Sequence, residues 1–94
     1  MAYFAVNYLY RSEADVAAVR PTHRAYLAKL RDEGKLIAAG PLVGTQRDTA
    51  LLIFCAEDAD ACRALIAADP MSTNDIIEDF RVTEWNPATR IFDN

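Results

Sequence analysis

The run ALLIFCA, residues 50–56, constrains this 94-residue chain more than any other stretch. Within TALLIFCAE (residues 49–57) it reads as a strand, and its apolar side chains fall on both faces. A strand that is apolar on both sides needs cover on both sides. AYFAVNYLY (residues 2–10) repeats the problem, with Tyr3, Ala5 and Leu9 on one side and Phe4, Val6, Tyr8 and Tyr10 on the other. Ninety-four residues make one domain, residues 1–94, with a limited core. No sequence is left over to build a second sheet. The expectation is therefore an isologous homodimer that packs sheet face on sheet face.

Several classes are excluded at this point. The net charge is -4 and the acidic residues are scattered, which is the wrong balance for a nucleic-acid surface. The apolar run is far too short to span a bilayer, so no membrane association is expected. The first residues, MAYFAVNYLYR, lack a basic region before the apolar stretch and a clear small-residue cleavage site. The chain is expected to be cytoplasmic, and Cys55 and Cys62, which match no metal-binding or redox spacing, to be reduced and mostly buried.

The other elements follow from punctuation and period. Ser12 and Asp15 are spaced as a capping pair for a short turn. Pro21 suits the first turn of a helix, so the main helix is predicted from about Arg20 to Glu33, with Gly34 as its left-handed stop. KLIAAGPLV (residues 35–43) is a second strand and GTQRD a turn. DADACRALIAAD (residues 58–69) is a second helix, with Asp58 as N-cap and Pro70 as its stop. MSTN is a loop or short turn, and DIIEDFRVTEW (residues 75–85) a fourth strand. The order β-α-β-β-α-β predicts an α+β, ferredoxin-like fold: a four-stranded antiparallel sheet with both helices on one face.

Phasing the helices places the chain's single histidine, His23, on the same face as Tyr26, Leu27 and Leu30. In the second helix Cys62, Leu65 and Ile66 face inward, and Asp69 continues that stripe into the last turn. There a carboxylate meets the unfavourable end of the helix dipole and a desolvated setting. His23 is the first candidate to compensate it and Arg20 the second. A carboxylate on one imidazole nitrogen orients the ring and leaves the other nitrogen for a substrate proton. The same pair can equally be a structural ion pair. One histidine and one aspartate are too few for a zinc site, and Ser12 and Ser72 lack the context of an activated nucleophile. Gly40-Pro41 marks either a strand bend or a gap beside a ligand.

Three segments taken together, RPTHRAYL (residues 20–27), DEGKLIAAGPL (32–42) and ADP (68–70), resemble the YCII-related (YciI-like) family of small bacterial proteins. The resemblance runs over nearly the whole chain. It implies a ferredoxin-like α+β fold that dimerises into an α+β barrel, with an active site built on a His-Asp pair. His23 corresponds to the family's histidine, Asp69 to its aspartate, and Gly40 and Pro41 to the strand motif lining the same cleft. After the DP motif the family often carries an aromatic residue and then a glycine-containing segment; this chain has MSTNDII, with Met71 in the aromatic's place as one wall of the pocket.

Related dimeric α+β barrels include lactone isomerases, eliminating enzymes and heme- or quinol-handling monooxygenases. The family has no one settled reaction; the site residues taken with the resemblance lead to the expectation of an enzyme that isomerises a small metabolite or eliminates a group from it. His23 shuttles the proton, Asp69 orients it, and Arg20 holds an anionic group. Neither cofactor nor metal is required. The alternative is a dimeric small-ligand-binding or accessory domain in which the pair is structural.

Overall fold

The computed structural model describes residues 1–92. It contains β1 (Ala2–Tyr10), α1 (Val16–Asp32), β2 (Leu36–Pro41), β3 (Thr49–Ala56), α2 (Ala59–Ala67), a one-turn α3 (Pro70–Thr73) and β4 (Ile77–Trp85). The strands form one sheet in the order β2-β3-β1-β4, and every neighbouring pair is antiparallel. This is the predicted ferredoxin-like arrangement, with α3 added between α2 and β4.

The alternation of β1 and β3 decides which face is which. Phe4, Val6, Tyr8 and Tyr10 are buried, as are Ala50, Leu52, Phe54 and Ala56. They form one core with Leu30 of α1, Cys62 and Ile66 of α2, and Met71 of α3. The helices therefore share one sheet face. On the other face the register aligns Ala5 with Ile53, Asn7 with Leu51 and Leu9 with Thr49. Ala5, Leu9, Leu51, Ile53 and Cys55 are all half-buried there. No described helix is long and apolar enough to cross a membrane.

Two expectations about the helices need correction. First, α1 begins at Val16 rather than near Arg20, and Pro21 lies inside it. Asp15 is its N-cap and accepts from the Ala18 N–H at 3.2 Å, while the Ser12 hydroxyl instead donates to Glu13. Burial of Val16 and the Asp15 cap carry the helix through a proline that can donate no bond to the Ala17 carbonyl. Second, α2 ends at Ala67, so Asp69 lies beyond it. Pro70 holds the preceding residue in an extended conformation, φ -65° and ψ 133°, which makes Asp69 the N-cap of α3. Asp69 thus follows the end of α2 directly but accepts the Met71 N–H as the cap of α3. MSTN, expected as a loop or short turn, is a short turn: residues 71–73 belong to the one-turn α3. The Gly34 stop is as expected: its φ of +76° is the left-handed conformation that ends α1.

Candidate active site

The site lies where α1, α3 and the β1–β3 centre of the sheet meet. His23 projects from the buried side of α1 and Asp69 from the α2–α3 junction. His23 Nδ1 and Asp69 Oδ1 are 2.8 Å apart, with 10% of the imidazole side chain exposed and none of the carboxylate. Asp69 Oδ1 also accepts the Met71 N–H at 2.9 Å, and Oδ2 accepts the Tyr8 hydroxyl at 3.0 Å. Ringed by donors, the carboxylate acts as acceptor throughout, so His23 Nδ1 carries its proton toward Asp69. That leaves Nε2, which bonds to no other described residue, as the nitrogen available to the cleft.

Burial first, and Asp69 beside it second, push the Tyr8 phenol far above its ordinary ionisation range. Tyr8 stays a neutral donor, which is what a buried carboxylate requires. Tyr26 anchors the other side. Its hydroxyl donates to the Leu65 carbonyl at 2.6 Å and ties α1 to the last turn of α2, and burial raises its pKa.

Outside the pair a cleft of about 280 Å³ opens between α1 and the β2–β3 side of the sheet. His23 lines it together with Tyr10, Arg20, Arg24, Leu27, Ala39, Gly40, Pro41, Ala50, Leu52 and Met71. Every sequence-predicted site residue except Asp69 is thus on the wall of one cavity, and Asp69 stands directly behind His23. Arg20 is exposed at the mouth and Met71 is 1% exposed at the base. A Cβ built on Gly40 meets no atom within 4 Å, so no contact inside the chain demands glycine there.

The sequence reading missed Tyr8, Tyr10 and Arg24. The strand alternation put both tyrosines on one side of β1 without fixing which side the helices cover, and the Tyr8–Asp69 bond joins residues 61 apart in sequence. A larger hollow of about 1130 Å³ lies at the opposite end of the sheet, around Tyr3, Cys55, Trp85 and Arg90, and includes neither His23 nor Asp69. Among the described residues no three His, Cys, Asp or Glu side chains are grouped closely enough to hold a metal ion.

Comparison with known proteins adds a family and a fold. The model of the YCII-related domain matches residues 1–86. Among solved structures, 5-chloro-2-hydroxyhydroquinone dehydrochlorinase from Burkholderia phenoliruptrix, in complex with 2,5-dihydroxybenzoquinone, is similar with a TM-score of 0.78 and 22% identity, over 89% of this chain and 93% of that one. A NIPSNAP domain protein from Burkholderia xenovorans is similar with a TM-score of 0.62 and 14% identity, over 99% of this chain and 100% of that one. An antibiotic biosynthesis monooxygenase follows with a TM-score of 0.58 and 20% identity, over 92% and 97%. At such identities the likeness shows the fold alone, which is that of the dimeric α+β barrel proteins. No curated protein matches the chain.

Proposed function

The chain belongs to the YCII-related domain family, and from that premise we propose that its cleft catalyses proton transfer, as isomerisation or elimination, on a small anionic metabolite. The observation that carries this reading is the 2.8 Å His23–Asp69 contact, which leaves one imidazole nitrogen for the cleft. In this role Nε2 removes a proton from the substrate. The new positive charge on the ring is met by the carboxylate behind it. Arg20 at the mouth attracts and holds an anionic group, while Gly40, Pro41 and Met71 shape the walls.

Elimination is favoured by the dehydrochlorinase among the similar structures. In such a step the base takes one proton, chloride leaves with the carbon–chlorine bonding pair, and the electrons left by the proton form the new π bond. The net loss is hydrogen chloride, with no oxidant consumed. The test is chloride release from 5-chloro-2-hydroxyhydroquinone and proton exchange on a panel of small enolisable acids. His23→Ala is expected to lower a measured turnover by about 10²–10⁴-fold, the usual contribution of a general base. No turnover on any of these compounds by the parent protein defeats the reading.

A second reading has its own support, because Asp69 caps α3 and holds Tyr8 as well as His23. In it the pair is structural and the cleft only binds. It predicts ligand binding that survives in a folded His23→Ala protein with no turnover at any stage. Under either reading we propose a homodimer through the half-buried sheet face opposite the helices, one domain over residues 1–94, and a cytoplasmic location. Two free cysteines suit a reducing compartment.

A further inference from the structure

Proton abstraction beside a carbonyl creates negative charge on oxygen, and a site for it needs a donor aimed at that oxygen as well as a base. The dyad supplies only the base. Tyr10 occupies the remaining position. It lines the same cleft as His23 and Arg20, and the residue as a whole is 5% exposed. Its ring stands edge-on to Tyr8, with centroids 6.1 Å apart, and so lies beside the ring that holds the dyad. Its hydroxyl bonds to no described residue, yet it is not sealed from solvent: among the described residues the only sealed side-chain polar atom without a partner is Arg47 Nε. A hydroxyl that is neither paired nor sealed on a residue lining the cleft is free to take a partner from a ligand.

The backbone around Tyr10 is fixed for this role. The strand register shifts between Leu9 and Tyr10, the kind of irregularity that re-aims a side chain next to a site. The Tyr10 N–H donates to the Asp48 carbonyl at 3.0 Å, and the Tyr10 carbonyl accepts from Arg47 at 2.8 Å. Burial, then Asp69, push the phenol up to about 12, with Arg20 opposing and Asp48 adding to the rise. It therefore remains an O–H donor at neutral pH.

We propose that Tyr10 is a catalytic hydrogen-bond donor of this site, and that the substrate is a compact anion carrying an enolisable carbonyl or phenolic oxygen. This rests on the proton-transfer reading above. His23 Nε2 takes the proton from the carbon next to the carbonyl. The C–H bonding pair becomes the C=C bond of the enolate, and the carbonyl π pair moves onto oxygen. There the Tyr10 O–H donates a hydrogen bond without giving up its proton. Arg20 adds positive charge at the mouth, and about 280 Å³ of space limits the substrate to roughly one ring.

The experiment uses 4-nitrophenolate, a stable chromophoric mimic of that oxyanion, titrated into the full-length protein at a pH where the probe is ionised. The parent is expected to bind it, and Tyr10→Phe to weaken binding roughly ten- to hundredfold, as loss of a hydrogen bond to a charged group does. Thermal melting of Tyr10→Phe should match the parent, since no intrachain bond is broken. Equal affinity in parent and variant overturns the Tyr10 assignment and leaves the proton-transfer reading standing. A Tyr10→Phe protein that fails to fold also overturns it, because the hydroxyl then has a structural partner. No binding by the parent overturns both.

Discussion

The Tyr8 hydroxyl donates to Asp69 Oδ2 at 3.0 Å, on the carboxylate oxygen that His23 leaves open. Strand β1 and helix α1 thus grip the same fully buried side chain from two sides. Tyr8→Phe keeps the ring in the core and strips one bond from a desolvated carboxylate. The expected cost is about 1–3 kcal/mol, or a fall in Tm of at least about 4 °C for a domain of this size. A melting curve that overlays the parent's would show that the bond contributes nothing.

Asp69→Ala should be much harsher. It orphans three donors at once: Tyr8 O–H, His23 Nδ1–H and Met71 N–H. It also removes the cap of α3. A loss of about 3 kcal/mol or more is expected, seen as a lower urea midpoint at unchanged slope. Asp69→Asn, which keeps an acceptor oxygen, should lie between the two. A loss below about 1 kcal/mol for the alanine variant would contradict the bonding described here.

Alkaline titration follows from the tyrosines. Tyr8 is raised above the ordinary value of 10.0, and Tyr10 to about 12. Above about pH 10 the unfolded chain releases phenolic protons that the folded chain keeps, so the unfolded state binds fewer protons and stability falls as pH rises. The stabilisation is complete below about 10 and is lost as pH climbs through the Tyr10 value. Phenolate absorbance from these two residues should appear together with loss of the far-ultraviolet dichroism. Tyr8→Phe and Tyr10→Phe should remove amplitude from that joint step. Amplitude missing instead from the range where the fold is intact would refute the burial of these phenols.

The thiols test the assembly. Cys62 is fully buried, and burial pushes its thiol up to about 11, so an aromatic disulfide reagent should reach it only on unfolding. Cys55 is half-buried on the helix-free face. If a second copy covers that face, Cys55 labelling should slow as protein concentration rises. A rate independent of concentration from nanomolar to micromolar, with sedimentation as monomer throughout, would count against the homodimer.

The sheet was legible because period 2 is robust: Phe4, Val6, Tyr8 and Tyr10 are buried together as the alternation requires. The inward direction of His23 was also legible from its helical stripe; Asp69 is inward as expected, but from beyond the end of α2, as the cap of α3. What misled was proline. Pro21 reads as a helix starter, yet the Asp15 cap and burial of Val16 begin the helix earlier. Pro70 reads as a stop, yet it also starts a turn too short to show any periodicity. The polar ends of Tyr8 and Tyr10 were out of reach. Their surroundings are set by residues brought close only by the fold.

The central claim is that Asp69 holds the His23 proton on Nδ1 and leaves Nε2 bare toward the cleft. Long-range ¹H–¹⁵N correlation of the imidazole tests it directly and needs no assignment, because the chain has one histidine. The neutral ring should show a protonated Nδ1 and an unprotonated Nε2, and Asp69→Ala should release that preference toward the Nε2–H form. A parent spectrum already dominated by Nε2–H, or one that Asp69→Ala leaves unchanged, would contradict the account.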